Sequence, residues 1–231
     1  MVQKIYGVYF ICCIYNYLEI VREQLHEIMD CGLYNDTTEL LLFVTMYDEK
    51  NSQLQELLRE YDTQNKFKIM TTPENLFEKY AIRNYRKYIT TEEEDYYIYY
   101  FHTKAASKND NHCGFAKRRR LLNFFLLRKY KIAMALLKEY DAVGCTFLKF
   151  PKPHFSGNFW WSKKDHVARL EDNINDNYLA PEMYICSHPD GKYISLMNVN
   201  NINLDDEKIM KDILTDVPEN NEGDYHYISL C

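Results

Sequence analysis

The 231-residue sequence predicts an α/β fold: a mostly parallel, twisted central sheet with helices on both faces. Three observations predict it. Short β-rich apolar runs alternate with helical patterns through the first hundred residues. Each run ends in polar residues. And Asp95–Ser107 (DYYIYYFHTKAAS) has the form of a buried central strand that stops at His102-Thr103-Lys104. In open α/β sheets ligands bind along the carboxyl edge, where strand ends and helix starts converge on a crevice. Read as an ordinary core strand, the same stretch would merely exit to solvent there.

The elements follow in order. Ile5–Ile14 (IYGVYFICCI) is a continuous apolar run, as expected of a parallel strand covered on both faces. Leu18, Val21, Leu25 and Ile28 give Leu18–Asp30 helical spacing, and Cys31-Gly32 stops the helix. Leu40–Thr45 is a second strand, Asn51–Tyr61 a helix with Leu54, Leu57 and Leu58 inward, and Lys66–Met70 a short third strand. Pro73-Glu74 opens a helix through Tyr88, with Leu76, Phe77, Tyr80 and Ala81 on one face. After the central strand come a turn-rich loop at Asn109–Gly114, a long helix over Phe115–Tyr140 and a strand at Asp141–Phe147. Pro151 and Pro153 break the chain before HFSGNFWWSK. Asp165–Leu170 and Tyr178–Ser187 read as helices, Tyr193–Met197 as a strand, and Ile209–Ile213 as a short helix in an acidic, Asn-rich tail. No repeat or linker divides the chain, so residues 1–231 read as one domain.

Composition narrows the function. Hydrophobic content of 46% with 27% charged residues is that of a soluble globular protein. A net charge of −6 argues against a general nucleic-acid binder, which needs a basic face for phosphates. The seven cysteines are scattered without a CxxC pair, which reads as reduced buried thiols in an intracellular, cytoplasmic protein. The apolar segment Ile5–Ile14 is too short to span a bilayer. The 21 tyrosines suit half-buried sheet positions and stacking against sugars or bases.

The strand ends carry Tyr15-Asn16, Tyr47-Asp48 and Thr71-Thr72, an arrangement suited to a nucleotide or nucleotide-sugar pocket. On this reading residues 1–107 form a nucleotide-binding half and 108–231 an acceptor-binding half with the tail. There is no GxGxxG after the first strand, which argues against a glycine-cradled pyrophosphate and disfavours a Rossmann-like oxidoreductase or methyltransferase. HExxH, paired CxxC and the Gly-x-Ser-x-Gly elbow are also missing, against zinc enzymes and serine hydrolases. Any bound anion must then be met by side chains or a metal. Asp48 is placed to accept a base N–H or a ribose hydroxyl. Lys104 suits a diphosphate as a point charge, and an arginine of Lys117-Arg118-Arg119-Arg120 could fold over phosphates, although such a run equally suits a solvated helix face. His102 could hydrogen-bond within the site, ligate a metal, or be structural. In Ser156–Trp161 (SGNFWW), Gly157 allows close approach, Asn158 can bridge hydroxyls and Trp160 can face a pyranose; a core aromatic cluster fits as well. Glu182 is a general-base candidate or simply a first-turn acid.

His102-Thr103-Lys104, SGNFWW at 156–161 and Ala180-Pro181-Glu182 together resemble the pattern of GT-A-fold glycosyltransferases of bacteria and large DNA viruses, a group that includes chlorovirus rhamnosyltransferases. The resemblance covers about Ile5–Ser187. It implies a GT-A-like domain using a nucleoside-diphosphate sugar, a UDP-sugar first, and a glycan or glycoprotein acceptor, in viral glycan synthesis in the host cytoplasm if the chain is viral. It implies that Tyr15, Asn16, Asp48 and Thr103 attend the nucleotide. Lys104 with Arg83 or Arg118 would offset the diphosphate charge, and Gly157, Asn158 and Trp160 would shape the sugar pocket. Glu182 would be the base of an inverting transfer, or a sugar-holding group if configuration is retained. Two departures stand out. The family's glycine after the lysine is Ala105, and the Asp-x-Asp that holds Mn²⁺ or Mg²⁺ is replaced by Phe101-His102-Thr103, leaving His102, His188 or His226 as candidate ligands. The rival class is a non-catalytic nucleotide-sugar or glycan-binding module.

Overall fold

The structure, a computed structural model, describes residues 3–48, 52–89, 94–106, 113–171, 174–175 and 177–197. The α/β expectation holds. The sheet has seven strands: β1 (Lys4–Cys12), β2 (Glu39–Thr45), β3 (Phe67–Thr71), β4 (Tyr96–His102), β5 (Ala142–Gly144), β8 (Trp160–Lys163) and β9 (Tyr193–Ser195), in the order β3-β2-β1-β4-β8-β5-β9. Two short strands, β6 (Phe147–Leu148) and β7 (His154–Phe155), pair separately. β1 lies parallel between β2 and β4, with Cys12 beside Thr45 and Phe10 beside His102. The carboxyl ends of the first strands therefore share one edge.

β8 runs the other way. It pairs antiparallel with β4, Tyr100 opposite Trp160, so continuing the register by two residues sets Asn158 opposite His102. The residues that precede β8 thus arrive at the edge where β1 and β4 end. HFSGNFWWSK was expected only to follow a break in the chain; it supplies β7 and β8.

Alternate residues of each strand feed two cores. On one face Tyr9, Ile11, Tyr99, Phe101 and Trp161 pack against α1 (Tyr17–Asp30), α3 (Ser52–Tyr61), α5 (Cys113–Asn123) and α6 (Tyr130–Leu136). On the other Val8, Phe10, Tyr100 and Trp160 pack beneath α4 (Lys79–Asn84), α7 (Lys164–Ala168) and α8 (Ala180–Tyr184). α2 (Leu33–Asp36) is a single turn after α1. No helix among the described residues is long and apolar enough to cross a membrane. The short helix expected at Ile209–Ile213 lies outside the described residues.

Two long helices read from the sequence are shorter. The Pro73–Tyr88 segment is helical only in α4 and a 3₁₀ turn at Tyr85–Tyr88. Asn75 Oδ1 accepts the Phe77 N–H, and Phe77 takes a left-handed φ of 50°, so a side-chain turn replaces the first helical turns. The Phe115–Tyr140 helix is interrupted by a π turn over Phe124–Arg128, closed by Lys129 N–H on Phe124 O at 2.9 Å. Phe124, Phe125, Leu126 and Leu127 are all buried, and four consecutive residues cannot share one α-helical face; the wider turn spreads them inward.

Candidate functional site

Glu78, immediately ahead of α4, reaches across to the end of β4. Its Oε1 lies 2.9 Å from His102 Nδ1, and its Oε2 accepts from Tyr100 Oη at 3.1 Å and Asn158 Nδ2 at 2.5 Å. Tyr100 and His102 share a strand face by alternation, and the β8 register supplies Asn158. Burial works to raise the Glu78 carboxyl. The His102 charge and hydrogen bond, the Asn158 amide and the Lys104 charge outweigh it and hold the group below its ordinary value. His102 is buried, and its Nε2 has no hydrogen-bond partner among the described residues. Asn158 is fixed from both ends, since its Oδ1 accepts the Trp160 indole N–H at 3.1 Å.

The turn before β8 is the second component. Gly157 has a φ of +100° and Asn158 one of 52°. The Gly157 N–H donates to Glu182 Oε1 on α8 at 2.6 Å. A Cβ at Gly157 would fall 2.9 Å from Leu122 Cδ1 and 3.5 Å from Lys104 Nζ, so the lysine amine packs against this glycine. Burial pushes the Lys104 ammonium down, opposed by Glu78 and Glu182 and reinforced by Arg118. Arg118 donates to Ser156 Oγ at 2.7 Å, while its Nε is buried with no partner among the described residues.

A polar network fixes this edge from behind. Thr103 Oγ1 accepts the Cys12 N–H and the Thr103 N–H donates to Phe10 O, each at 3.0 Å, latching β4 to β1. Gln24, fully buried, accepts from Tyr9 Oη and donates to His102 O and Asn123 Oδ1. Arg119 makes a two-pronged contact with Glu23 and also donates to Lys104 O.

The residues singled out from sequence divide three ways. His102, Lys104, Gly157, Asn158 and Glu182 come together, with Arg118 on the same turn. Tyr15, Asn16 and Asp48 stand exposed beyond β1 and β2 on the same edge. The others have different work. Trp160 is fully buried and stacked on Tyr100 at 5.3 Å, because β8 is an interior strand; its ring is core, not a sugar-facing wall. Trp161, equally buried, donates to Leu126 O. Arg83 donates to Ile174 O at 2.5 Å, and the buried Thr103 hydroxyl is the strand latch. Glu78 was not anticipated. The sequence reading set it inside a helix from Pro73 to Tyr88, and its reach depends on the unforeseen Phe77 turn.

Backbone strain gathers at this edge. Tyr15, Met46, Phe77, Ala105, Thr146 and Asn158 all have left-handed φ values, each in a segment that leaves or enters it. Left-handed residues other than glycine are costly and cluster at functional sites. Ala105 has a φ of 67°, which accounts for the glycine that the resembled pattern carries there.

The family described as Domain of unknown function (DUF8361) matches residues 14–190. The chain belongs to it. The matched span contains Glu78, His102, Lys104, Asn158 and Glu182. No curated protein matches the chain. Among solved structures it is similar to the mannosyltransferase PcManGT from Pyrobaculum calidifontis in complex with GDP-Man and Mn²⁺, at 12% identity and TM-score 0.49, over 83% of this chain and 54% of that one. The chain thus spans about half the length of that mannosyltransferase. It is also similar to 4-diphosphocytidyl-2C-methyl-D-erythritolsynthase from Anaerococcus prevotii (10% identity, 92% and 95% coverage, TM-score 0.47) and to HddC from Yersinia pseudotuberculosis (12%, 90% and 98%, 0.46). Likenesses at this level carry no argument about chemistry, which rests on the site itself.

A divalent cation does not fit the described residues at the end of β4. Both Glu78 oxygens are already engaged, two cationic side chains flank the turn, and hard cations need several oxygen ligands. Among the described residues no group of three or more His, Cys, Asp or Glu side chains could hold a metal ion. His188 accepts the Asp190 N–H and packs near His166, and His226 lies outside the described residues.

Proposed function

We propose that the protein is a nucleotide-sugar-dependent glycosyltransferase of GT-A type. It moves a hexose or deoxyhexose from a nucleoside diphosphate, UDP first among the donors, to a glycan or glycoprotein acceptor. Residues 1–107 carry the nucleotide side and 108–231 the acceptor side. The observation that carries this reading is the convergence of Glu182, Lys104 and Arg118 on the Ser156–Asn158 turn, at the carboxyl edge of a parallel sheet.

The chemistry follows from those groups. Glu182 takes the proton of an acceptor hydroxyl, whose oxygen attacks the anomeric carbon. The bond from that carbon to the diphosphate oxygen breaks, and its electron pair leaves with the nucleoside diphosphate. Lys104 and Arg118 stabilise the charge that develops on it, commonly the largest catalytic contribution. Glu78 holds His102, whose Nε2 is left for a sugar hydroxyl, while Asn158, buried and engaged at both ends, fixes the turn. Tyr15, Asn16 and Asp48 line the nucleotide end.

Incubation with UDP-, GDP- and dTDP-sugars tests the reading. Slow release of nucleoside diphosphate is expected with one class of donor. Binding of a nucleotide sugar with no turnover, in the presence of glycan acceptors or without them, would instead mark a binding module.

A further inference from the structure

We infer that Lys104 and Arg118 take the place of a divalent cation, so that this edge binds a nucleoside diphosphate without metal. The inference rests on the nucleotide-sugar reading above and deepens it. Both cationic side chains reach the same turn from different elements: Lys104 from the end of β4, Arg118 from α5. Lys104 Nζ lies 3.5 Å from where a Cβ on Gly157 would stand, so the amine sits in van der Waals reach of the turn. Arg118 is anchored through one terminal nitrogen on Ser156 Oγ, and its buried Nε has no protein acceptor among the described residues. A guanidinium with unsatisfied donors presents the fork that phosphate oxygens fill.

The other charged side chains described around the turn are engaged elsewhere or partly used. Arg119 is committed to Glu23 and helps hold the Lys104 backbone through its carbonyl. Glu78 is committed to His102, Tyr100 and Asn158. Glu182 is the carboxylate that remains at the turn, and one of its oxygens already accepts the Gly157 N–H. Among the described residues at the turn, a divalent ion would meet one partly used carboxylate and two positive charges; a diphosphate would meet the two charges and an open Nε–H. The Lys104 ammonium, pushed down by burial, gains more from an arriving anion than an exposed lysine would.

The test is titration calorimetry of the whole protein with UDP, GDP and dTDP, in EDTA and in excess Mn²⁺, with protein-bound Mn²⁺ followed by electron paramagnetic resonance. At least one nucleotide is expected to bind with dissociation constants in the two buffers within about threefold, and without recruiting Mn²⁺. Lys104→Met should weaken that binding about tenfold or more and Lys104→Arg only about threefold, because the arginine keeps the charge. Arg118→Gln, at a partly exposed position, gives a second reading if Lys104→Met does not fold. Binding that appears only with Mn²⁺ and brings bound Mn²⁺ with it would overturn the inference while leaving the nucleotide-sugar reading intact. Failure of all three nucleotides in both buffers would remove that reading, and this inference with it.

Discussion

Glu78 and His102 meet carboxylate to imidazole at 2.9 Å across the end of β4, and the contact joins the segment after β3 to the strand beside β1. The Glu78 carboxyl is held below its ordinary value of 4.5, so over that range the folded protein binds fewer protons than the unfolded chain. Its stabilising contribution is complete above that value and is lost as pH falls through the lowered one. Thermal melts of the native protein should therefore lose stability more steeply than melts of Glu78→Gln as pH falls below 4.5. Parallel slopes for the two proteins would show that the pair does not contribute.

Glu182→Gln keeps an acceptor for the Gly157 N–H but removes the proposed base. Donor affinity should be unchanged while transfer falls by about 10²–10⁴-fold, as loss of a general base does. Paired measurements of donor binding and turnover check this, and undiminished turnover takes Glu182 out of the chemistry.

Gly157→Ala places a methyl 2.9 Å from Leu122 Cδ1 at a φ of +100°. It should cost about 1–3 kcal/mol in urea unfolding. It should also weaken nucleoside-diphosphate binding, because the strained turn can no longer hold its place between Lys104, Arg118 and Glu182. A variant as stable as the parent would mean that the turn can relax.

Both tryptophans are fully buried. Their emission should be blue-shifted and insensitive to iodide, with or without a nucleotide sugar. Trp160→Phe should lower stability by about 1–3 kcal/mol through the lost indole hydrogen bond to Asn158. Iodide quenching relieved by a sugar ligand would restore these rings to a binding wall.

The parallel half of the sheet was legible because β1, β2 and β4 are near-continuous apolar runs that end in polar residues, and burial on both faces demands that pattern. β8 was not, since its direction is set by pairing with Tyr100 and its neighbours rather than by local composition. The same cause hid the fate of Trp160: an aromatic beside a glycine suits a pocket wall or a core, and only an interior strand position decides. His102, Lys104, Gly157, Asn158 and Glu182 stood out because small and polar residues interrupt apolar sequence there. Glu78 did not, because an Asn75 side-chain turn and a left-handed Phe77 bring it to the site.

Because β8 is threaded against the grain of the strands beside it, it offers its beginning, not its end, to the rim where β1 and β4 finish. The stretch between β5 and β8 is therefore a tether that hands Ser156, Gly157 and Asn158 to that rim from outside the parallel framework. Lengthening or shortening that tether would change what is recognised there while every strand kept its neighbours.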